Sequence, residues 1–407
     1  MKSKYYTHIL PNGLRLIHVP TTSHVAYCGL SINAGSRDDL AGKAGLAHFV
    51  EHTIFKGTKH RRSWHILNRM ERVGGELNAY TTKEGTALYS IFPCEHFERA
   101  VELISDLVAN SQFPETELNK EREVVLEEID SYRDTPMEAV YDDFEDLLFA
   151  DSAMGHNILG NEQDLNNISA DDCRFYLDTQ YVPENMVFFA MGNIKSDRLF
   201  RIVEKHLGPL NHKLDRASRI TPIETSVFNK TINIDSHQAH TIVGKQLFSM
   251  HDDRRYAAFL LNNILGGPGM NSLLNVAIRE KRGYAYTVES SLSLLSDCGF
   301  FEIYFGSDEH HVAPSLRIIN RTIEELATKP LSEKNLQAAK RQYLGQLLVS
   351  SENKEAMALS LGKTYLYHNN IMTDSQLAEH INALTAQQIM DCAALLDPAT
   401  CSILTMK

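Results

Sequence analysis

The apolar and polar positions of this chain follow two rhythms. After a Leu10-Pro11-Asn12-Gly13 turn, residues 14–19 alternate as a strand does, and residues 25–32 read as a second strand closed by Ala34-Gly35-Ser36. From 44 to 55 the apolar spacing becomes helical. Residues 78–82 and 86–92 return to strand character, and 95–110 and 115–132 carry the spacing of long amphipathic helices. Met186-Val187-Phe188-Phe189-Ala190-Met191 is a further strand. Strands and helices come mixed, without strict βαβ alternation, so the expected class is α+β.

The stretch from Gly208-Pro209 to Thr221-Pro222 turns polar and basic, with His212, Lys213, Arg216 and Arg219, and reads as a linker. Beyond it the chain reads as a degenerate copy of what came before. Residues 47–57 line up with 257–267, Ala79-Tyr80-Thr81 with Ala285-Tyr286-Thr287, and Pro114 and Leu118 loosely with Leu331 and Leu336. The order and the similar spacing predict two homologous domains, 1–208 and 222–407. Each is expected to be a mostly antiparallel sheet covered by helices. A length of 407 residues, at roughly 150 per domain, fits two or three domains.

Composition narrows the function. The chain is 43% hydrophobic and 23% charged, which is ordinary for a globular protein. Its net charge of -12 argues against a nucleic-acid partner and against attachment to anionic membranes. No stretch approaches the ~20 apolar residues of a membrane span, and the amino terminus lacks the apolar run of a signal peptide, so a cytoplasmic location is expected. Cys28, Cys94, Cys173, Cys298, Cys392 and Cys401 are scattered without a CxxC, which favours reduced, mostly buried thiols. Trp64 reads as packing.

His48-Phe49-Val50-Glu51-His52 carries the chemistry. Residues four apart on a helix share a face, so His48 and His52 can offer two imidazoles to one Zn²⁺. Glu51 lies on the same flank and can reach a water held there without being a ligand itself. This is the inverted order of the HExxH zinc motif. The alternative is a solvated face with two unrelated histidines. A third ligand is needed, and the helix at 115–132 offers it. Glu121 and Glu128 are seven apart and share a face, Glu127 points a quarter-turn away, and Glu115, Glu117 and Glu123 read as solvated. His60, His65, His96, His310 and His311 lack a ligand-like partner at helical spacing and read as surface residues.

With these residues the chain resembles the pitrilysin/insulinase (M16) family of zinc metallopeptidases, and among them the processing-peptidase-like branch with subunits of about this length. The resemblance rests on residues 10–14, Ala34-Gly35-Ser36-Arg37, Gly45-Leu46-Ala47 ahead of the histidine motif, and Phe55-Lys56-Gly57-Thr58. It continues through Asn78-Ala79-Tyr80-Thr81, residues 121–129 and residues 279–286. It selects Glu128 as the third zinc ligand and Glu121 as the group that orients a ligand. It implies Glu51 as general base, one Zn²⁺ per chain, and Arg279 and Tyr286 as second-half residues that stabilise the transition state. It also implies that Asn78, Ala79 and Tyr80 form an edge strand to which peptide substrates add.

Residues 265–272 resemble the family's glycine-rich stretch. Here Pro268 interrupts the glycines and Leu273 stands where arginine is frequent, so a helix-terminating turn is the alternative. No phosphate-loop lysine follows.

The second half lacks the metal site. Ala258, Leu261, Asn262, Ala339 and Gln346 stand where the first half has His48, Glu51, His52, Glu121 and Glu128. The function implied is a zinc endopeptidase acting on peptides or unfolded segments, as a homodimer or as a heterodimer with a zinc-less paralogue. The alternatives are a non-catalytic partner subunit and an assembly protein with a vestigial site.

Overall fold

The computed structural model describes residues 5–211 and 218–407. Of the linker basic residues, His212, Lys213 and Arg216 lie outside the described residues, as does the start of the amino terminus.

The first sheet has six strands: β1 (Tyr6–Ile9), β2 (Arg15–Pro20), β3 (Val25–Ile32), β4 (Glu76–Thr81), β5 (Thr86–Pro93) and β6 (Met186–Gly192), in the order β1-β2-β6-β3-β5-β4. All neighbours are antiparallel except β2 and β6. Every residue of β6 is buried, which explains its unbroken apolar sequence: a central strand covered on both faces shows no alternation. Leu16, Leu30, Leu88 and Phe188 enter one core, with helices Leu46–Thr53, Phe97–Asn110 and Ser196–Leu207. Ile17, Val187, Phe189 and Met191 face the other way. β4 lies at the edge, paired only with β5.

The second sheet has five strands: β7 (Asn229–Ile232), β8 (Ala239–Leu247), β9 (Ala285–Leu294), β10 (Gly299–Ser307) and β11 (Ser402–Met406), in the order β7-β11-β8-β10-β9. β7 and β11 are parallel and the rest antiparallel. Strand for strand this repeats β2-β6-β3-β5-β4, polarity included, with β9 at the edge. The fold is α+β, with the same mostly antiparallel sheet built twice.

The compact units are not the contiguous stretches 1–208 and 222–407. Among the described residues, one unit takes the chain up to Ile129, Asn157–Arg219 and Ser351–Thr373; the other takes Asp130–His156, Ile220–Ser350 and Asp374–Lys407. Burial explains the interleaving. Helix Pro136–Leu148 places Val140, Phe144 and Leu148 in a core with Ile242, Phe300 and Leu404 of the second sheet. Helix Lys354–His368 places Ala358, Leu361, Tyr365 and Leu366 in a core with Ile17, Val187 and Phe189 of the first. Each such large apolar side chain contributes roughly 1.5–3 kcal/mol when buried, and sequence adjacency offers nothing comparable. Arg219 is tied into the first unit through Asp38 at 2.6 Å and Asn33 at 2.9 Å.

The sheet registers also correct one repeat match. In the first hairpin Thr81 pairs with Thr86 across the turn; in the second, Leu294 pairs with Gly299. Leu294 is therefore the counterpart of Thr81, and Ala285-Tyr286-Thr287 lies at the far end of its strand from Ala79-Tyr80-Thr81. Register is set by the turn and not by shared side-chain identity. The match of the long helices holds, since Glu115 and Glu333 both begin helices that carry Leu118 and Leu336 inward.

The glycine-rich stretch closes helix Arg255–Gly266. A Cβ on Gly266 would lie 2.7 Å from the Ser290 nitrogen, and one on Gly267 would lie 2.7 Å from Asn263 Cα, so these glycines serve close packing. Five cysteines are buried and Cys94 is half-buried. Trp64, read as packing, is 56% exposed and carries Arg72 over its ring at 4.9 Å. No helix among the described residues is long and apolar enough to cross a membrane.

Candidate metal centre and active site

The histidine motif occupies helix Leu46–Thr53, which is short and needs anchoring. Asp39 supplies the anchor, its two carboxylate oxygens accepting from the Gly45 and Ala47 amides at 2.7 Å each. Asp39 also sits favourably at the positive end of the helix dipole. Gly45 enters the helix at φ +92°, and a Cβ there would stand 2.5 Å from the Leu159 carbonyl oxygen, so glycine is required twice over. Leu46, Ala47, Phe49, Val50 and Thr53 are buried, and this apolar packing fixes the helix rotation that brings His48 and His52 together.

The two imidazoles lie with centroids 4.5 Å apart. Glu128 comes from helix Glu115–Arg133, which inserts Leu118, Glu121, Val125 and Ile129 at helical spacing. Its Oε2 is 3.9 Å from His48 Nε2 and 3.6 Å from His52 Nε2. These gaps are too wide for hydrogen bonds. They approach the spacing of about 3.3–3.5 Å between ligands held 2.0–2.2 Å from one tetrahedral ion. One donor atom from each of the three lies within 4.8 Å of the others. Glu127, Glu115 and Glu123 face solvent, as the spacing predicted.

Glu121 accepts from His52 Nδ1 at 3.1 Å and pairs with Lys56 Nζ at 2.6 Å. Its bond to His52 fixes the ring with Nε2 toward Glu128, as carboxylates behind metal-bound histidines do. Burial works against its charge, but His52 and Lys56 prevail and hold its carboxyl below the ordinary range. Burial, aided by His52, pushes the His48 pKa down to about 3, so that imidazole is neutral, the form that ligates. His48 Nδ1 is buried without a hydrogen-bond partner among the described residues. For His52 burial lowers the pKa, but Glu121, Glu51 and Glu128 together raise it. Three carboxylates thus converge on two imidazoles with Lys56 as the compensating cation, and a divalent metal restores neutrality. The donor set fits zinc.

Glu51 is half-buried and accepts from the Thr81 hydroxyl at 3.0 Å. Burial pushes its carboxyl up; His52 and the Thr81 bond oppose this, Glu128 reinforces it, and the net direction is upward. A carboxylate with raised pKa beside a cation site is suited to taking up a proton. Thr81 ends the edge strand β4, on which Asn78 and Ala79 are half-buried and Tyr80 is exposed. Backbone groups along that edge are open to another strand.

Arg279 and Tyr286 belong to the second unit. Arg279 lies on a π-helical turn, Asn275–Glu280, an irregularity frequent at functional sites. Tyr286 is 61% exposed. Thr287 pairs with Gly306 and Ala285 with Ser307, so Tyr286 is the extra residue of a bulge on the edge strand β9, a device that re-aims a side chain. In the same unit, Asn262, the counterpart of His52, accepts from the Ser290 hydroxyl at 2.6 Å.

Sequence reasoning passed over three supports: Asp39, Lys56 and Thr81. Two had a signal. Lys56 lies one helical turn after His52, and Thr81 shares its strand face with Ala79. His310 is exposed and His311 half-buried, in keeping with their reading as surface residues, and their donor atoms gather with that of Asp308 within 4.8 Å. Asp308 is the N-cap of the helix that carries both histidines and stands three residues before His311, a helical spacing that sequence reasoning passed over.

Comparison with known proteins gives the family. Residues 16–162 match the insulinase (peptidase family M16) model and 167–343 the model described as the peptidase M16 inactive domain. An uncharacterized zinc protease of Bacillus subtilis is 32% identical over 95% of this chain and 94% of its own length. The chain belongs to peptidase family M16. Another M16 relative, an uncharacterized zinc protease of Rickettsia bellii, is 31% identical over 97% of this chain and 95% of its own. A protease from Helicobacter pylori shares the M16 fold at a TM-score of 0.92, covering 100% of both chains at 22% identity.

Proposed function

We propose that this chain is a zinc-dependent endopeptidase that hydrolyses peptide bonds in peptides or unfolded segments. The observation that carries this reading is the convergence of His48, His52 and Glu128 on one point, with Glu51 held beside them by Thr81 at the end of an edge strand. The names of the relatives as zinc proteases support it. When bound, one zinc per chain supplies a Lewis acid that polarises the scissile carbonyl and lowers the pKa of a coordinated water to roughly 7. His48, His52 and Glu128 hold the metal, and Glu121 keeps His52 oriented. Glu51 accepts the proton of the attacking water and passes it to the leaving amine. The main chain of Asn78, Ala79 and Tyr80 pairs with the substrate as an added strand. Arg279 and Tyr286 donate to the developing oxyanion.

The test is cleavage of a quenched, unstructured peptide. Activity is expected to vanish on chelation and return with stoichiometric Zn²⁺. A chain that retains zinc yet cleaves no peptide, alone or in a library, would instead be a partner or assembly subunit.

The assembly proposed is a homodimer in which Arg279 and Tyr286 of one chain serve the zinc centre of the other; a heterodimer with a zinc-less paralogue is the alternative. Mixing a Glu51→Gln chain with an Arg279→Ala/Tyr286→Ala chain under exchange should partly restore activity, because one heterodimer site is then intact. Demonstrated exchange with no recovery rules out the trans arrangement.

A further inference from the structure

A second group of metal-ligating side chains lies where β10 ends. Asp308, His310 and His311 follow that strand directly and open helix Glu309–Thr328. Three features set this group apart from scattered surface histidines. Aspartate at a helix N-cap ordinarily accepts from first-turn amides, but the Asp308 side chain makes no such bond. Its Oδ2 stands 4.0 Å from His311 Nδ1 instead. The two imidazoles have centroids only 3.9 Å apart, and neither has a side-chain hydrogen bond among the described residues. Tyr284 stacks on His311 at 4.4 Å and 18°, which restrains the ring and reduces the rotamer entropy lost on binding a ligand.

We infer that Asp308, His310 and His311 form a second Zn²⁺ site. Two imidazoles and one carboxylate select a borderline transition metal over Ca²⁺ or Mg²⁺, which prefer oxygen. The site is more exposed than the motif centre and lies at the positive end of a helix dipole, so it binds more weakly. Its consequence runs through Tyr284, two residues before Tyr286. Metal on His311 holds the stacked ring and with it the start of β9, so free zinc acts on the segment that bears Tyr286.

The site is tested without reference to peptidase activity. A metal-free His48→Ala/His52→Ala chain is titrated calorimetrically with Zn²⁺, and separately with Ca²⁺ and Mg²⁺. One equivalent of Zn²⁺ and neither of the others is expected. Adding His310→Ala/His311→Ala should abolish the event. Asp308→Asn, which keeps the side-chain shape and both rings but removes the carboxylate charge, should weaken it at least about 10-fold. Wild type already holding one zinc should show the same second event, so the result does not depend on how the motif variant folds. Absence of the event in the motif variant and in zinc-loaded wild type, or its survival without His310 and His311, overturns the inference.

Discussion

Glu51→Gln is expected to lose peptide cleavage by at least about 10²–10⁴-fold while zinc content stays at the wild-type level. Glutamine keeps the volume of the side chain and an oxygen that can accept from Thr81, now 3.0 Å from Glu51. The amide cannot take a proton at neutral pH, so the attacking water keeps its own. The proposed metal donors, on His48, His52 and Glu128, are unchanged. Loss of the base should therefore appear in kcat with the metal in place. Cleavage within a few-fold of wild type, measured on the same quenched peptide, would show that another group accepts the proton. Loss of zinc together with activity would mean that Glu51 belongs to the ligand set.

The other large effect is on metal retention. His52→Ala removes one of three donors and also leaves Glu121 facing Lys56 alone. Groups behind a ligand typically cost 10–100-fold in affinity when lost, so Glu121→Gln should fall in about that range and His52→Ala beyond it. Glu128→Gln should follow His52→Ala, since an amide oxygen replaces a charged one. Zinc bound at stoichiometric metal is the readout, by elemental analysis after gel filtration. Equal zinc in wild type and His52→Ala would remove the assignment. Glu127→Gln, on the solvent face of the same helix, should leave zinc unchanged.

The chemistry of this chain is local and so was legible in order. His48, Glu51 and His52 fall on one helix because the period of 3.6 puts them there, and strand alternation marked β2, β3, β4 and β5 within a few residues. The doubling of the fold showed as faint echoes between halves, enough for the number of sheets. Glu128 was reached through likeness to a known family; helical period alone left Glu121 beside it.

What the sequence did not settle depends on long-range packing. The exchange of helices Pro136–Leu148 and Lys354–His368 between units follows from which sheet face leaves room for each apolar stripe. Neither stripe names its partner. The place of Ala285-Tyr286-Thr287 in β9 was decided by the hairpin register, and the bulge that exposes Tyr286 arises from pairing with β10. Two supports of the candidate site, Lys56 behind Glu121 and Thr81 on Glu51, are bonds whose donors and acceptors become neighbours only after the core forms, whereas Asp39 holds the local amides of Gly45 and Ala47. The sequence by itself determined which side chains can ligate and transfer protons; the tertiary structure decided which of them meet, because distance between residues far apart in the chain is set by the packing of the elements that carry them.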